Sequence, residues 1–150
     1  MTPLGDGQII LIVDDSDDDY DATARALQRG EKPNHPLHRC HGGREALDYL
    51  YCRGEYAAPN NGSRPGIMLL DLNMPGIDGR EVLATVKNDP DLRSIPIIIL
   101  TNSNHRRDID ACYELGANTY IQKPLDLQRF FNIMQGLKDY WFKTAALPGT

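Results

Sequence analysis

Three stretches of the chain are apolar without interruption: Ile9 to Val13, Ile67 to Leu70 and Ile95 to Leu100. A strand with one wet face alternates apolar and polar residues. A run that is apolar throughout is dry on both faces, as in the interior of a parallel sheet. Thr119 to Gln122 is a weaker strand candidate, and Leu37 to Cys40 a fifth, short and mixed in polarity. Between these runs the spacing changes to the three-and-four rhythm of helices. Asp17 to Arg29 carries Ala22, Ala26 and Leu27 ahead of Gly30, and Arg44 to Arg53 carries Ala46, Leu47 and Leu50 ahead of Gly54. Gly79 to Lys87 carries Val82, Leu83 and Val86 and stops before Asp89-Pro90, while Arg107 to Leu115 stops at Gly116. A final helix, capped by Asp126, is expected to run to about Phe142.

The order is a strand followed by a helix, five times. This predicts an α/β fold: a single (βα)5 doubly wound domain with a five-stranded parallel sheet covered on both faces. Residues 8–142 are assigned to that domain, residues 1–7 to an N-terminal extension and residues 143–150 to a loose C-terminal tail. Gly54 to Pro65, with its Asn-Asn-Gly-Ser, reads as a flexible surface loop. With 150 residues there is little room for a second folded unit. The net charge of −5 opposes sequence-independent binding to nucleic acid. No apolar run approaches the roughly 20 residues that span a bilayer, and MTPLGDGQ is no signal peptide. A cytoplasmic protein with no membrane attachment is the expectation. Cys40, Cys52 and Cys112 lack metal-site spacing and read as reduced thiols.

Sites in open α/β sheets form beyond the carboxyl ends of the strands. The first run ends in Asp14-Asp15, the second in Asp71, the third in Thr101 and the last in Lys123-Pro124. Each alone has an ordinary explanation as a helix-dipole partner, turn former, cap or solvated loop. Together they place three carboxylates, a hydroxyl and an ammonium at one edge. Clustered carboxylates repel unless a cation lies between them, and hard oxygen ligands suit Mg²⁺. A carboxylate can act as a nucleophile toward phosphorus, and an ion and a lysine can neutralise the transferring phosphoryl group. The other acids near the first strand end, Asp17, Asp18, Asp19 and Asp21, are assigned to the start of the first helix, where negative charge is favourable.

The set VDD, LLDLNMPGIDG, LTNS and YIQKPL resembles the receiver domain of two-component response regulators, over about residues 8 to 140. The resemblance implies a flavodoxin-like topology. It implies that Asp71 is the phosphoacceptor, that Asp14, Asp15, Asp71 and the Asn73 backbone carbonyl serve the Mg²⁺ ion (with Mn²⁺ as a substitute), and that Thr101 and Lys123 contact the phosphate. Tyr120 then occupies the aromatic position that follows Thr101 in the switch. Asn102 departs from the pattern, since a small residue is usual there. The long loop after the second helix, the stretch ACYELGANTYIQKPLDLQRFFNIM and the late Trp141 resemble regulators paired with bacterial phytochrome kinases. The partner implied is therefore a sensor histidine kinase of phytochrome type. The apolar breadth of the last helix, ending in Tyr140, Trp141 and Phe142, fits either a deeply buried helix or a partner surface, and the resemblance to phytochrome-linked regulators implies a homodimer through this C-terminal face. The rival reading is a Mg²⁺-dependent phosphatase of the haloacid-dehalogenase type. That family carries Asp-x-Asp after its first strand, whereas this chain reads Asp71-Leu72-Asn73 after the third-strand candidate. A signalling acceptor rather than an enzyme is the expectation.

Overall fold

A computed structural model describes residues 8–29, 35–57 and 64–148. Among the described residues, five strands alternate with five α-helices: β1 Ile10–Val13, α1 Asp17–Gln28, β2 Leu37–Cys40, α2 Gly43–Tyr51, β3 Ile67–Leu70, α3 Gly79–Asn88, β4 Ile97–Thr101, α4 Arg106–Leu115, β5 Thr119–Gln122 and α5 Leu127–Lys138. The strands form one parallel sheet in the order β2-β1-β3-β4-β5. The expected (βα)5 doubly wound fold of flavodoxin-like topology is the one observed.

The runs that are apolar throughout, β1, β3 and most of β4, are the three central strands, and every residue in them is buried. The two weak candidates are the edges. An edge strand is only half-covered, so β2 as Leu-His-Arg-Cys and β5 as Thr-Tyr-Ile-Gln tolerate polar side chains. Alternation across the sheet splits the core in two. Leu11, Val13, Met68, Leu70, Ile97 and Ile99 pack toward α2, α3 and α4. Ile10, Ile12, Ile67, Leu69, Ile98 and Leu100 pack toward α1 and α5.

Caps set the helix starts. Ser16 accepts from the Asp19 amide at 3.2 Å, Asp78 from the Glu81 amide at 3.1 Å and Asp126 from the Arg129 amide at 3.2 Å. Three expectations need adjustment. β4 starts at Ile97 rather than Ile95 and includes Thr101, which pairs with Gln122. The C-terminal stretch is not loose over residues 143–148: a π-turn spans Asp139–Thr144, and Leu147 is buried against the α1–α5 half of the core. Of the loop 54–65, Gly54–Tyr56 forms a 3-10 turn whose Tyr56 ring is packed. Residues 58–63, the N-terminal extension 1–7 and residues 149–150 lie outside the described residues.

Candidate functional site

The carboxyl ends of β1, β3 and β4 and the residue after β5 converge, as the strand-end reading required. Asp14, Asp71, Thr101 and Lys123 are buried there, while Asp15 is exposed at the rim. Carboxylate oxygens of Asp14, Asp15 and Asp71 all lie within 4.8 Å of one another. The Lys123 ammonium reaches across the sheet end to Asp14 Oδ2 at 2.9 Å, Asp19 Oδ2 at 3.2 Å and Asp71 Oδ2 at 4.0 Å. The two oxygens of Asp71 have different surroundings. Oδ1 accepts from the Leu72 amide at 2.8 Å, whereas Oδ2 faces Lys123.

Electrostatics follow from that packing. Burial pushes the Asp71 carboxyl above the usual carboxylate range, against the pull of Lys123, the Thr101 hydroxyl and the Leu72 amide. Burial alone would lower the Lys123 ammonium, but Asp14 and then Asp71 and Asp19 outweigh it, so its pKa is raised. The lysine is therefore a fixed cation. A hard divalent cation fits the chemistry of the three converging carboxylates: one exposed and two buried oxygen donors carry more negative charge than one lysine neutralises.

Backbone close approach positions Asp71. A Cβ on Gly79 would lie 2.1 Å from the Asp71 carbonyl oxygen, so the start of α3 presses against the Asp71 peptide. The Gly79 amide also donates to the Leu72 carbonyl at 2.9 Å, closing the β3–α3 turn. Asn73 is exposed on this turn. No carboxylate stands two residues beyond Asp71, where the phosphatase reading would need its acid–base group.

Thr101 is fully buried, and its hydroxyl accepts from the Ser103 amide at 3.5 Å. Tyr120 is half-buried and donates its hydroxyl to the Ser103 carbonyl at 2.9 Å. Ser103 in turn donates to Asp108 Oδ2 at 2.6 Å, and Arg80 of α3 pairs with Asp108 through its other oxygen. The β4–α4 loop is thus tied to β5, α4 and α3 at once.

Two contributors were missed in the sequence. Asp19, assigned only to the helix dipole, also pairs with Lys123, because the first turn of α1 starts directly beyond the end of β1 and carries Asp19 to the same sheet edge. Arg39 of β2 donates to the Asp14 carbonyl at 3.1 and 3.3 Å and pairs with Asp17. Nothing in the apolar pattern marked it. Beside the site lies a cavity of about 300 Å³ that includes Asp19, Thr23, Asn102, Lys123, Leu127 and Phe130 in its lining. Asn102 is therefore at the entrance to the ammonium, on an exposed turn.

Comparison with known proteins gives a consistent picture. The sequence family described as "Response regulator receiver domain" matches residues 10–135. Response regulator Rcp1 of Synechocystis sp. is 40% identical over 141 residues, covering 94% of this chain and 93% of Rcp1. The phosphorylated cyanobacterial phytochrome response regulator RcpA superposes with a TM-score of 0.88 at 40% identity, over 95% of this chain and 99% of RcpA. The Mn²⁺-bound form of Rcp1 superposes with a TM-score of 0.87 at 39% identity, over 95% and 99% of the two chains.

Proposed function

The chain belongs to the response regulator receiver family, and from that membership we propose that Asp71 accepts a phosphoryl group from a sensor histidine kinase of phytochrome type. The observation that carries the proposal is the pairing at the strand ends: a buried Asp71 with one oxygen tied to Leu72 and the other turned toward a Lys123 ammonium held by Asp14. In the reaction an oxygen of Asp71 attacks phosphorus, the bond from phosphorus to the kinase histidine breaks, and the imidazole leaves with the electron pair. Oδ2 is the attacking atom, because Oδ1 is occupied by the amide. Lys123 stabilises the charge on the phosphoryl oxygens, and Thr101 donates its hydroxyl to one of them. A divalent cation, Mg²⁺ with Mn²⁺ as a substitute, supplies further charge neutralisation when held by Asp14, Asp15, Asp71 and the Asn73 carbonyl; RcpA as a phosphorylated form and Rcp1 as a Mn²⁺ form support both assignments.

The message is the modified state, not a turned-over product. Movement of Thr101 toward the phosphate frees or reorients the β4–α4 loop, and Tyr120, bonded to the same loop at Ser103, follows. The surface formed by α4, β5 and α5 changes with it. We assign a homodimer to that C-terminal side. Leu127 and Tyr140 are exposed there, and Trp141 is only partly buried, with its ring 5.3 Å from that of Tyr140. Among the described residues no helix is long and apolar enough to cross a membrane. A cytoplasmic location, matching that of a kinase's phosphotransfer domain, completes the proposal.

The test is direct. Incubated with Mg²⁺ and a small-molecule phosphodonor, the protein takes up a single phosphoryl group, and Asp71→Asn takes up none. An unchanged mass signal in Asp71→Asn overturns the assignment.

A further inference from the structure

On the opposite face of β2 from Arg39, two residues of the strand and one of α2 converge on a single oxygen. His38 and Cys40 point to the same side because they are two residues apart in a strand, and Glu45 lies across from them in the first turn of α2. Their imidazole nitrogen, thiol sulfur and carboxylate oxygen lie within 4.8 Å of one another. The Tyr56 hydroxyl sits among them. It donates to Glu45 Oε2 at 2.7 Å and lies 2.9 Å from His38 Nε2. Since its one proton goes to Glu45, His38 holds its own proton on Nε2 and donates to Tyr56. The His38 ring stacks on Tyr49 at 4.4 Å and meets Tyr56 edge-on at 5.3 Å, so the donors are held in a packed wall.

We propose that His38, Cys40 and Glu45 form a second metal site, selective for a zinc-class ion, in which the ion and the Tyr56 hydroxyl compete for the same ligands. One nitrogen, one sulfur and one carboxylate oxygen are a borderline-soft set that zinc accepts and magnesium refuses. The all-oxygen cluster at Asp14, Asp15 and Asp71 suits a hard ion, so abundant Mg²⁺ occupies it while the mixed-donor set, which magnesium does not bind, stays open to zinc. Binding converts the Cys40 thiol to thiolate, its proton passing to solvent, and His38 shifts its remaining proton to Nδ1 to free Nε2. Thiolate and carboxylate together balance a charge of two. Three protein ligands leave a fourth tetrahedral position for water. The ion displaces Tyr56 from Glu45 and His38, which releases the Gly54–Tyr56 turn from β2 and α2. Metal occupancy is thereby linked to the start of the long loop.

The test uses untagged protein with Co²⁺ as a spectroscopic stand-in for Zn²⁺, in excess Mg²⁺ to hold the carboxylate cluster. One equivalent of Co²⁺ is expected to give a thiolate-to-cobalt charge-transfer band. Cys40→Ser abolishes the band, Glu45→Gln and His38→Gln weaken binding by more than the roughly tenfold to hundredfold that loss of even an outer-sphere partner costs, and Asp71→Asn leaves the band intact. Tyr56→Phe removes the competitor and tightens binding by roughly tenfold, the effect of two forfeited hydrogen bonds. Because this last variant gains affinity, it reads out even where a ligand variant folds poorly. Absence of the band in the native chain overturns the proposal. So does a band that survives in folded Cys40→Ser, which traces it to another cysteine, or one lost in Asp71→Asn. Unchanged or weaker affinity in Tyr56→Phe removes the competition.

Discussion

Substituting Gly79 by alanine tests how tightly the fold holds Asp71. A methyl group there would stand 2.1 Å from the Asp71 carbonyl oxygen, 2.8 Å from the Leu72 Cα and 2.9 Å from the Asp71 carbonyl carbon. All three are backbone atoms, so no side chain can swing away. Real Cβ contacts essentially never fall below 3.0 Å, and relief from 2.1 Å therefore requires the β3–α3 turn to retreat by about 0.9 Å. Overpacking of this kind costs about 1–3 kcal/mol, against a helix-propensity gain of at most about 1 kcal/mol. The net loss lowers Tm by several degrees, at roughly 2–4 °C per kcal/mol for a chain of this size. The larger effect is on reactivity. A displacement near 1 Å from the reacting geometry lowers a rate by about 100-fold. Stopped-time phosphorylation with a small phosphodonor, alongside thermal unfolding, measures both. Gly136→Ala is the control, since its methyl meets nothing within 4 Å inside α5; it should raise stability by about 0.5–1 kcal/mol and leave the rate unchanged. A Gly79→Ala protein that is phosphorylated within a few-fold of the native rate would refute the reasoning.

Three further outcomes are expected. Lys123→Ala leaves Asp14 and Asp71 facing each other without their shared cation, and chemical denaturation should show a loss of about 3–5 kcal/mol that millimolar Mg²⁺ narrows. Asp108 is held below its ordinary value of 3.8 by the Ser103 hydroxyl and then Arg80. A carboxyl lowered on folding stabilises the native state above its unfolded pKa and stops doing so as pH falls through its folded pKa. Asp108→Asn should therefore cost roughly 1–2 kcal/mol near neutral pH, and the gap to the native protein should close as pH falls below 3.8 and through the lower folded value in a denaturation series. Trp141→Ala should shift the protein from dimer toward monomer in sedimentation; a native chain that is monomeric at high concentration contradicts the C-terminal interface.

The central strands were legible because burial on both faces leaves an uninterrupted apolar run, as in Ile67 to Leu70. The strand-end positions were legible for a topological reason: in a doubly wound sheet, the residues just past each such run share one edge. Asp14, Asp71, Thr101 and Lys123 meet there on that logic alone. Contacts that depend on side-chain reach were not legible. Asp19 stood within a cluster of acidic residues whose shared explanation, the helix dipole, hid the one that meets Lys123. The His38–Cys40–Glu45 grouping spans a strand, a turn and a helix, and its spacing matches no familiar metal pattern. Leu147 sits in a stretch of small and polar residues that gives no periodic signal, so its burial was invisible until the π-turn at the end of α5 redirected the chain.

Transfer from a labelled kinase tests the central claim most directly. A phytochrome-type histidine kinase is first autophosphorylated, freed of nucleotide and mixed with this protein in Mg²⁺, and the modified residue is located by mass spectrometry. The label should leave the kinase and appear once, on the peptide carrying Asp71, with none transferred to Asp71→Asn. Label on any other residue, or transfer that persists in Asp71→Asn, would contradict it.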